Sequence, residues 1–407
     1  MSPSEKLAPG APPLANFIPL IVPEICGNEW EYVKECLDTN WVSSVGGYVD
    51  RFERLVAERA GTRYAVATVN GTAALHIALI LARVEADDEV LVSSLTFIAP
   101  ANTIRYVGAW PVFMDAEPRY WQIDPNGVVD FLEKDCRWDG NELRNRQTGR
   151  RIKAILPVHI LGHPADLDPI LAVAKKYSLP VIEDATEGLG ASYRGKSLGG
   201  FGDAGCFSFN GNKIITTGGG GMLVTNNAEW AARARYLTTQ AKDDPLEYVH
   251  GAVGYNYRLT NMLAAMGCAQ MEQLDKFIEA KRRIATRYRE ALASLPGIRL
   301  PQEAEWAFST YWMYTALIDE KELGMDSREL IRDLGARKIQ TRPLWQPMHR
   351  SPAHKNVGSP ACPVSDSLHR QGVSLPCSVG LSESAQGQVI EAMKALLGKD
   401  RPSALAR

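Results

Sequence analysis

The sequence predicts an α/β protein with a mostly parallel, doubly wound central sheet and a smaller α+β domain at the C-terminal end. Three observations predict it. Apolar strand-like runs alternate with helical periodicity from Tyr64 to Glu183. From Gly297 the texture changes to short strands and isolated helices. Between these regions a lone lysine, Lys213, stands between an apolar run and the glycine string Gly218 to Gly221. A chain of 407 residues can bury one large core and a second smaller one. The expected organisation is a flexible N-terminal tail (1–16), a large domain (17–275), a small C-terminal domain (276–398) and a C-terminal tail (399–407).

Helical periodicity begins at Glu24 to Thr39 (Ile25, Trp30, Val33, Leu37) and resumes at Val49 to Ala60 (Val49, Phe52, Leu55, Val56). The loop between them carries Trp41, Ser43 and Ser44 ahead of Gly46 and Gly47. It reads either as a plain connection or as part of an active-site rim. A strand over Tyr64 to Val69 then runs into Asn70-Gly71-Thr72-Ala73, which opens a helix. A strand, small residues and a helix start make an anion site, because the first amides of a helix are free and its positive end faces the ligand. The plainer alternative is a helix capped by Asn70.

A strand over Glu89 to Val92, a helix opening at Ser94 to Pro100 and a strand over Pro111 to Asp115 follow. Phe97 lies just beyond a strand's carboxyl end, where open α/β sheets hold their ligands. It is either core or a flat wall for a ring. Asp135 to Arg151 reads as an exposed charged hairpin turning at Thr148-Gly149. Ile152 to Val158, a helix over Leu167 to Tyr177 and Pro180 to Glu183 resume the pattern. The last strand ends in Asp184, followed closely by Glu187, and acidic groups there need a partner. An ionised Asp184 beneath a pyridine nitrogen keeps that nitrogen protonated and makes the ring an electron sink.

A strand over Gly205 to Phe209 delivers Lys213, and a second, Met222 to Thr225, follows the glycines. Lys213 reads either as a solvated loop lysine or as a desolvated amine able to form a Schiff base. A helix over Glu229 to Leu237 precedes a long helical stretch ending near Leu292, with an apolar stripe at Met262, Met266, Met271 and Leu274. Tyr255 and Tyr257 read as packing residues. The small domain contributes a strand (Trp312 to Ile318), a helix (Ser327 to Leu334), the stretch Thr341 to Trp345 and a last helix (Ser384 to Leu397).

A net charge of −2 argues against nucleic acid as the main partner. Seven scattered cysteines without CxxC or CxxxC spacing suggest a reduced cytoplasmic enzyme with neither a disulfide framework nor a metal site. No apolar run approaches the roughly 20 residues of a spanning helix, so no membrane role is expected.

As an ordered set, these motifs resemble the DegT/DnrJ/EryC1/StrS family of nucleotide-sugar aminotransferases, from about Phe17 to Leu397. The resemblance implies the aspartate-aminotransferase (type I) fold and pyridoxal 5'-phosphate, held as a covalent internal aldimine on Lys213. It assigns the cofactor phosphate to Gly71, Thr72 and Ala73, with Ser208, and with Asn256 from a neighbouring subunit. Phe97 stacks on the ring, Asp184 meets the ring nitrogen, and Glu187 stands where relatives often have His or Gln beside the phenolic oxygen. Candidate substrate contacts are Trp41, Ser43, Arg258 and Arg342. The implied reaction is ping-pong transfer of an amino group from L-glutamate to a nucleotide-linked keto-deoxy sugar, with Lys213 as the proton carrier, in a homodimer with composite sites. The opening stretches resemble the branch acting on 4-keto-6-deoxy sugars for legionaminic-acid-type and related surface glycans, which implies a UDP-linked 4-keto-6-deoxy-HexNAc substrate, although the residues themselves leave UDP, dTDP and GDP open. Two rival readings are an amino-acid lyase or desulfurase and a cofactor-binding regulator.

Overall fold

Seven apolar runs build the central sheet: β1 (Tyr64–Thr68), β2 (Glu89–Ser93), β3 (Trp110–Met114), β4 (Ile152–Leu156), β5 (Ile182–Asp184), β6 (Ala204–Ser208) and β7 (Gly221–Thr225). The structure is a computed structural model that describes residues 17–244, 246–355 and 357–398. Both expected tails lie outside these residues. The strand order is β1-β7-β6-β5-β4-β2-β3, with β4 joined to β5 through the bridges Ile155↔Val181 and Val158↔Asp184. Neighbours run parallel except at β7, which is antiparallel to both β1 and β6. The sheet is thus mostly parallel, as expected, with one reversed strand. Every residue of β2 and β7 is buried, the pattern of strands covered on both faces.

The reversed strand has a local cause. β6 and β7 form a hairpin in which Ser208 pairs with Gly221, and the Lys213 loop and glycine run lie at its tip. Helices α1 (Glu29–Asp38), α2 (Gly47–Ala60), α3 (Gly71–Leu81) and α4 (Ala99–Tyr106) pack around this frame, α3 with nine of its eleven residues buried. The helical stretch after Arg258 is two helices, α5 (Asn261–Met271) and α6 (Leu274–Leu292), parted at Glu272-Gln273. The smaller sheet holds β8 (Ile298–Arg299), β9 (Tyr314–Ile318), β10 (Arg342–Pro343) and β11 (Gly372–Leu375) in the antiparallel order β8-β9-β11-β10.

Several expected elements shift. The first helix starts at Glu29 rather than Glu24: Ile25 is exposed, and the Glu24 carbonyl is held by the Gln270 amide at 2.8 Å. The methionine stripe is not the core face of α5. Met262, Met266 and Met271 are only partly buried, whereas Ala264, Ala265, Cys268 and Ala269 are wholly so. Small side chains there allow a close helix approach; a Cβ on Gly267 would meet the Phe52 ring at 2.7 Å. The charged excursion turns twice. Cys136–Trp138 pairs with Leu143–Asn145, and the Thr148-Gly149 turn then brings Arg151 back against Arg144. Arg151 pairs with Asp88, Glu85 and Glu142, which ties the excursion to the start of β2.

Candidate active site

At the carboxyl ends of the strands lies a cavity of about 410 Å³, within the roughly 300–1,000 Å³ of small-molecule sites. One end is the start of α3. Asn70 caps that helix, its Oδ1 accepting the Ala73 amide at 2.8 Å. The cap and the anion site are therefore not alternatives: Ala73 spends its amide on Asn70, and the Gly71 and Thr72 amides are left without an acceptor inside the helix. Gly71 must be glycine, because a Cβ there would lie 2.9 Å from Cβ of Ser208. Ser208 and the start of α3 thus line the cavity side by side.

The other end is built by β5 and the Lys213 loop. Asp184 and Glu183 are successive residues of one strand, so their side chains take opposite faces. Asp184 lines the cavity and accepts the Thr186 amide at 3.0 Å. Burial pushes its carboxyl up, against the pull of Thr186 and the Lys213 charge. Glu183 points away, into a nest of the Gly199, Phe201 and Gly202 amides at 2.7–3.0 Å and the His159 ring at 3.2 Å. His159 accepts the Ala165 amide on Nδ1, so its proton sits on Nε2 and is donated to Glu183. Burial would raise Glu183, but these donors outweigh it and hold the carboxyl below its usual range. Glu183 is therefore wholly structural.

Glu187 is 6% exposed and takes two partners: the Leu161 amide at 2.9 Å and Lys213 Nζ at 3.3 Å. Burial raises its carboxyl and the Lys213 charge draws it back down. Leu161 presents that amide from a left-handed conformation (φ +61), a strained one for a γ-branched residue. Phe97 is 56% exposed and faces the cavity, as a wall rather than as core.

The structure therefore gathers Gly71, Thr72, Phe97, Asp184, Glu187, Ser208 and Lys213 around one space. Ala73 stands just behind it, buried in α3. The remaining expected residues are elsewhere. Asn256 is exposed, its backbone bridging Thr239. Trp41 lines a separate surface hollow with Tyr48 and Arg51. Ser43 is exposed, its carbonyl accepting the Asn261 amide at 2.6 Å. Arg342 is exposed on β10. Arg258 is a correction: it is buried in an ion pair with Glu53 and also reaches the Ala67 carbonyl, so its charge is committed to the fold. Because Glu53 keeps Arg235 and the Ala67 amide, Arg258→Ala should cost about 2 kcal/mol of stability, read by denaturant unfolding, with KM for the sugar unchanged.

Sequence reasoning missed Trp312 and Trp345, which line the cavity from segments flanking β9 and β10 of the smaller sheet. Trp345 belongs to a stretch already singled out; only tertiary packing places Trp312.

An anion-binding helix end, a flat aromatic wall, a buried carboxylate on the floor and a recessed lysine amine suit a phosphorylated pyridine aldehyde. The Gly71–Ser208 contact is the cradle that one added Cβ would close. The chain is a pyridoxal-phosphate-dependent sugar aminotransferase of the type I fold. It belongs to the DegT/DnrJ/EryC1/StrS aminotransferase family, whose model matches residues 23–394. It is 40% identical to the GDP-perosamine synthase of Caulobacter vibrioides over 93% of this chain and 98% of that protein. It is equally similar, at 40%, to that of Escherichia coli O157:H7, over 90% and 95%. Among solved structures, the aminotransferase TlmJ from Streptoalloteichus hindustanus superposes with a TM-score of 0.85 at 28% identity, covering 93% of this chain and 98% of that one.

Proposed function

We propose that this enzyme transfers the amino group of L-glutamate to the keto carbon of a GDP-linked 4-keto-6-deoxy sugar. The observation that carries the chemistry is the placement of Lys213 Nζ, 3.3 Å from Glu187 in a cavity floored by Asp184 and ended by the α3 amides. The relatives named GDP-perosamine synthases support the GDP nucleotide, in preference to the UDP-linked HexNAc expected from the sequence.

The Gly71 and Thr72 amides and the Ser208 hydroxyl would hold the cofactor phosphate, Phe97 would cover one ring face, and Asp184 would place its carboxylate at the ring nitrogen. When bound, pyridoxal phosphate would supply the electron sink for the donor's α-carbon. Lys213 Nζ would take the proton from that carbon and deliver it to the cofactor's C4′ carbon, and in the second half-reaction move a proton from C4′ to the sugar's former keto carbon. Glu187, anchored by Leu161, keeps the lysine amine from swinging out of the cavity. A desulfurase would need an accessible thiolate; Cys206, two residues before Ser208, is fully buried, and burial raises its thiol far above the ordinary value.

The test is a panel of GDP-, UDP- and dTDP-linked 4-keto sugars incubated with glutamate and read by mass spectrometry. The GDP-linked substrate should convert fastest to the amine. Preferential conversion of another nucleotide would overturn the GDP assignment, and no conversion of any would overturn the reaction.

The exposed position of Asn256 supports a composite site in a symmetric dimer, Asn256 reaching the phosphate of the partner subunit's cofactor. Leu246, Tyr248, Val249 and Val253, apolar residues just before it, are also exposed. Mixing Lys213→Ala chains with Asn256→Ala chains should then raise activity above either parent. Each mixed dimer would hold one doubly defective site and one intact site. Subunit exchange seen by mass spectrometry without any recovery would place Asn256 outside the partner's site.

A further inference from the structure

Lys213 Nζ lies 4.3 Å from the centre of the Trp312 ring, inside the range of a cation–π contact. The lysine side chain is 14% exposed, so this contact is largely dry and stronger than one at a surface. Trp312 is fixed at several points. Its indole Nε1 donates to the Asn212 carbonyl at 2.8 Å, which ties it to the lysine's own loop. Its carbonyl accepts Nζ of the buried Lys281 at 2.7 Å, and the same amine holds the Cys377 carbonyl. Its backbone amide packs against Gly162, where a Cβ would come within 2.6 Å. Gly162 directly follows Leu161, the residue that anchors Glu187. The two groups touching the lysine amine, an indole face and a carboxylate, thus meet through one stretch of backbone.

We propose that Trp312 is a positioning residue for Lys213: its indole face receives the lysine amine whenever that amine is free and protonated, and holds it in the cavity opposite Glu187. A lysine that carries protons leaves its bond to the cofactor in the first half-reaction and regains it at the end of the second. While free, it must be kept from solvent without being tied to the Glu187 carboxylate alone. An aromatic face does this, because its attraction fades when the amine gives up its proton. The inference rests on Lys213 being the catalytic lysine. The charged groups facing the amine are Glu187 and Asp184, and both remain in the variants below.

The test uses full-length enzyme stripped of cofactor, labelled with acetic anhydride across a pH range. Acetylation at Lys213 is quantified by mass spectrometry and each curve is scaled to its own plateau. Losing the indole removes a stabiliser of the protonated amine, so in Trp312→Leu the midpoint should move to lower pH. Below both midpoints, scaled labelling should rise about 2- to 30-fold. Trp312→Phe, with a weaker face, should fall between. Fluorinated tryptophans placed at 312 keep the shape and weaken the face stepwise, and should move the midpoint stepwise even if Trp312→Leu fails to fold. A midpoint unmoved by fluorination overturns the proposal, whatever happens to stability or turnover. Failure of the underlying assignment shows separately, as Lys213→Ala that still transaminates.

Discussion

Replacing Lys213 with alanine should remove the internal-aldimine band of the purified protein and cut turnover by about 10²- to 10⁴-fold, the usual worth of a positioned proton carrier. That band should vanish because the amine that joins the cofactor is gone. Cofactor should still bind non-covalently, since the α3 amides, Ser208 and Asp184 are untouched. Spectra and single-turnover rates on the same sample check both halves. Wild-type turnover in this variant would remove Lys213 from the chemistry. An intact spectrum would mean that another amine carries the cofactor.

Asp184→Asn should keep the fold and lose turnover by at least 10- to 150-fold, the worth of one charge-assisted contact of about 1.5–3 kcal/mol, before any loss specific to the chemistry. An amide cannot keep a ring nitrogen protonated. The same substitution should act oppositely on cofactor-free stability. Burial holds the Asp184 carboxyl above its ordinary value, so the folded state binds a proton more readily than the unfolded one there. Stability from this group is therefore full at low pH and is lost as pH rises through the folded-state value. Asparagine has no proton to lose. Without cofactor, Asp184→Asn should melt at or above the wild-type temperature at neutral pH, and the difference should shrink towards pH 4. Added cofactor should stabilise the wild type more. A variant that unfolds in the absence of cofactor would make Asp184 a structural carboxylate like Glu183.

Sequence legibility followed the range of the interactions. The anion site, Phe97, Asp184 and Lys213 lie at or just beyond strand ends, where a strand, a turn and a helix start declare their geometry locally, whereas the roles of Ser208 and Glu187 came only from the family resemblance. Their convergence follows once the strands form one sheet. Glu183 and Asp184 could not be separated by type; only the alternation of the strand sends one to a backbone nest and the other to the cavity. Arg258 was expected among the substrate contacts. It is instead the counter-charge of Glu53, some 200 residues away in sequence. Trp312 announced nothing, since its role depends on Lys213, Asn212 and Lys281 arriving around it. The methionine stripe misled because the close helix contacts of α5 favour small side chains over large ones.

The reversed strand β7 has a consequence for how the enzyme is made. Among the described residues β7 is the one strand paired along β1, whose end carries a single further bridge from Thr68 to Arg258, and β1 and β7 meet across a gap of about 150 residues in sequence. Until the ribosome has delivered Thr225, β1 has an open edge and the start of α3 has no hairpin to close against. Pairing over such a distance is entropically slow, and an open apolar edge invites the wrong neighbour. The last strand to join the sheet is also the one that places the lysine loop. A nascent chain stalled before Thr225 should therefore take up no colour and should stay bound to a chaperone.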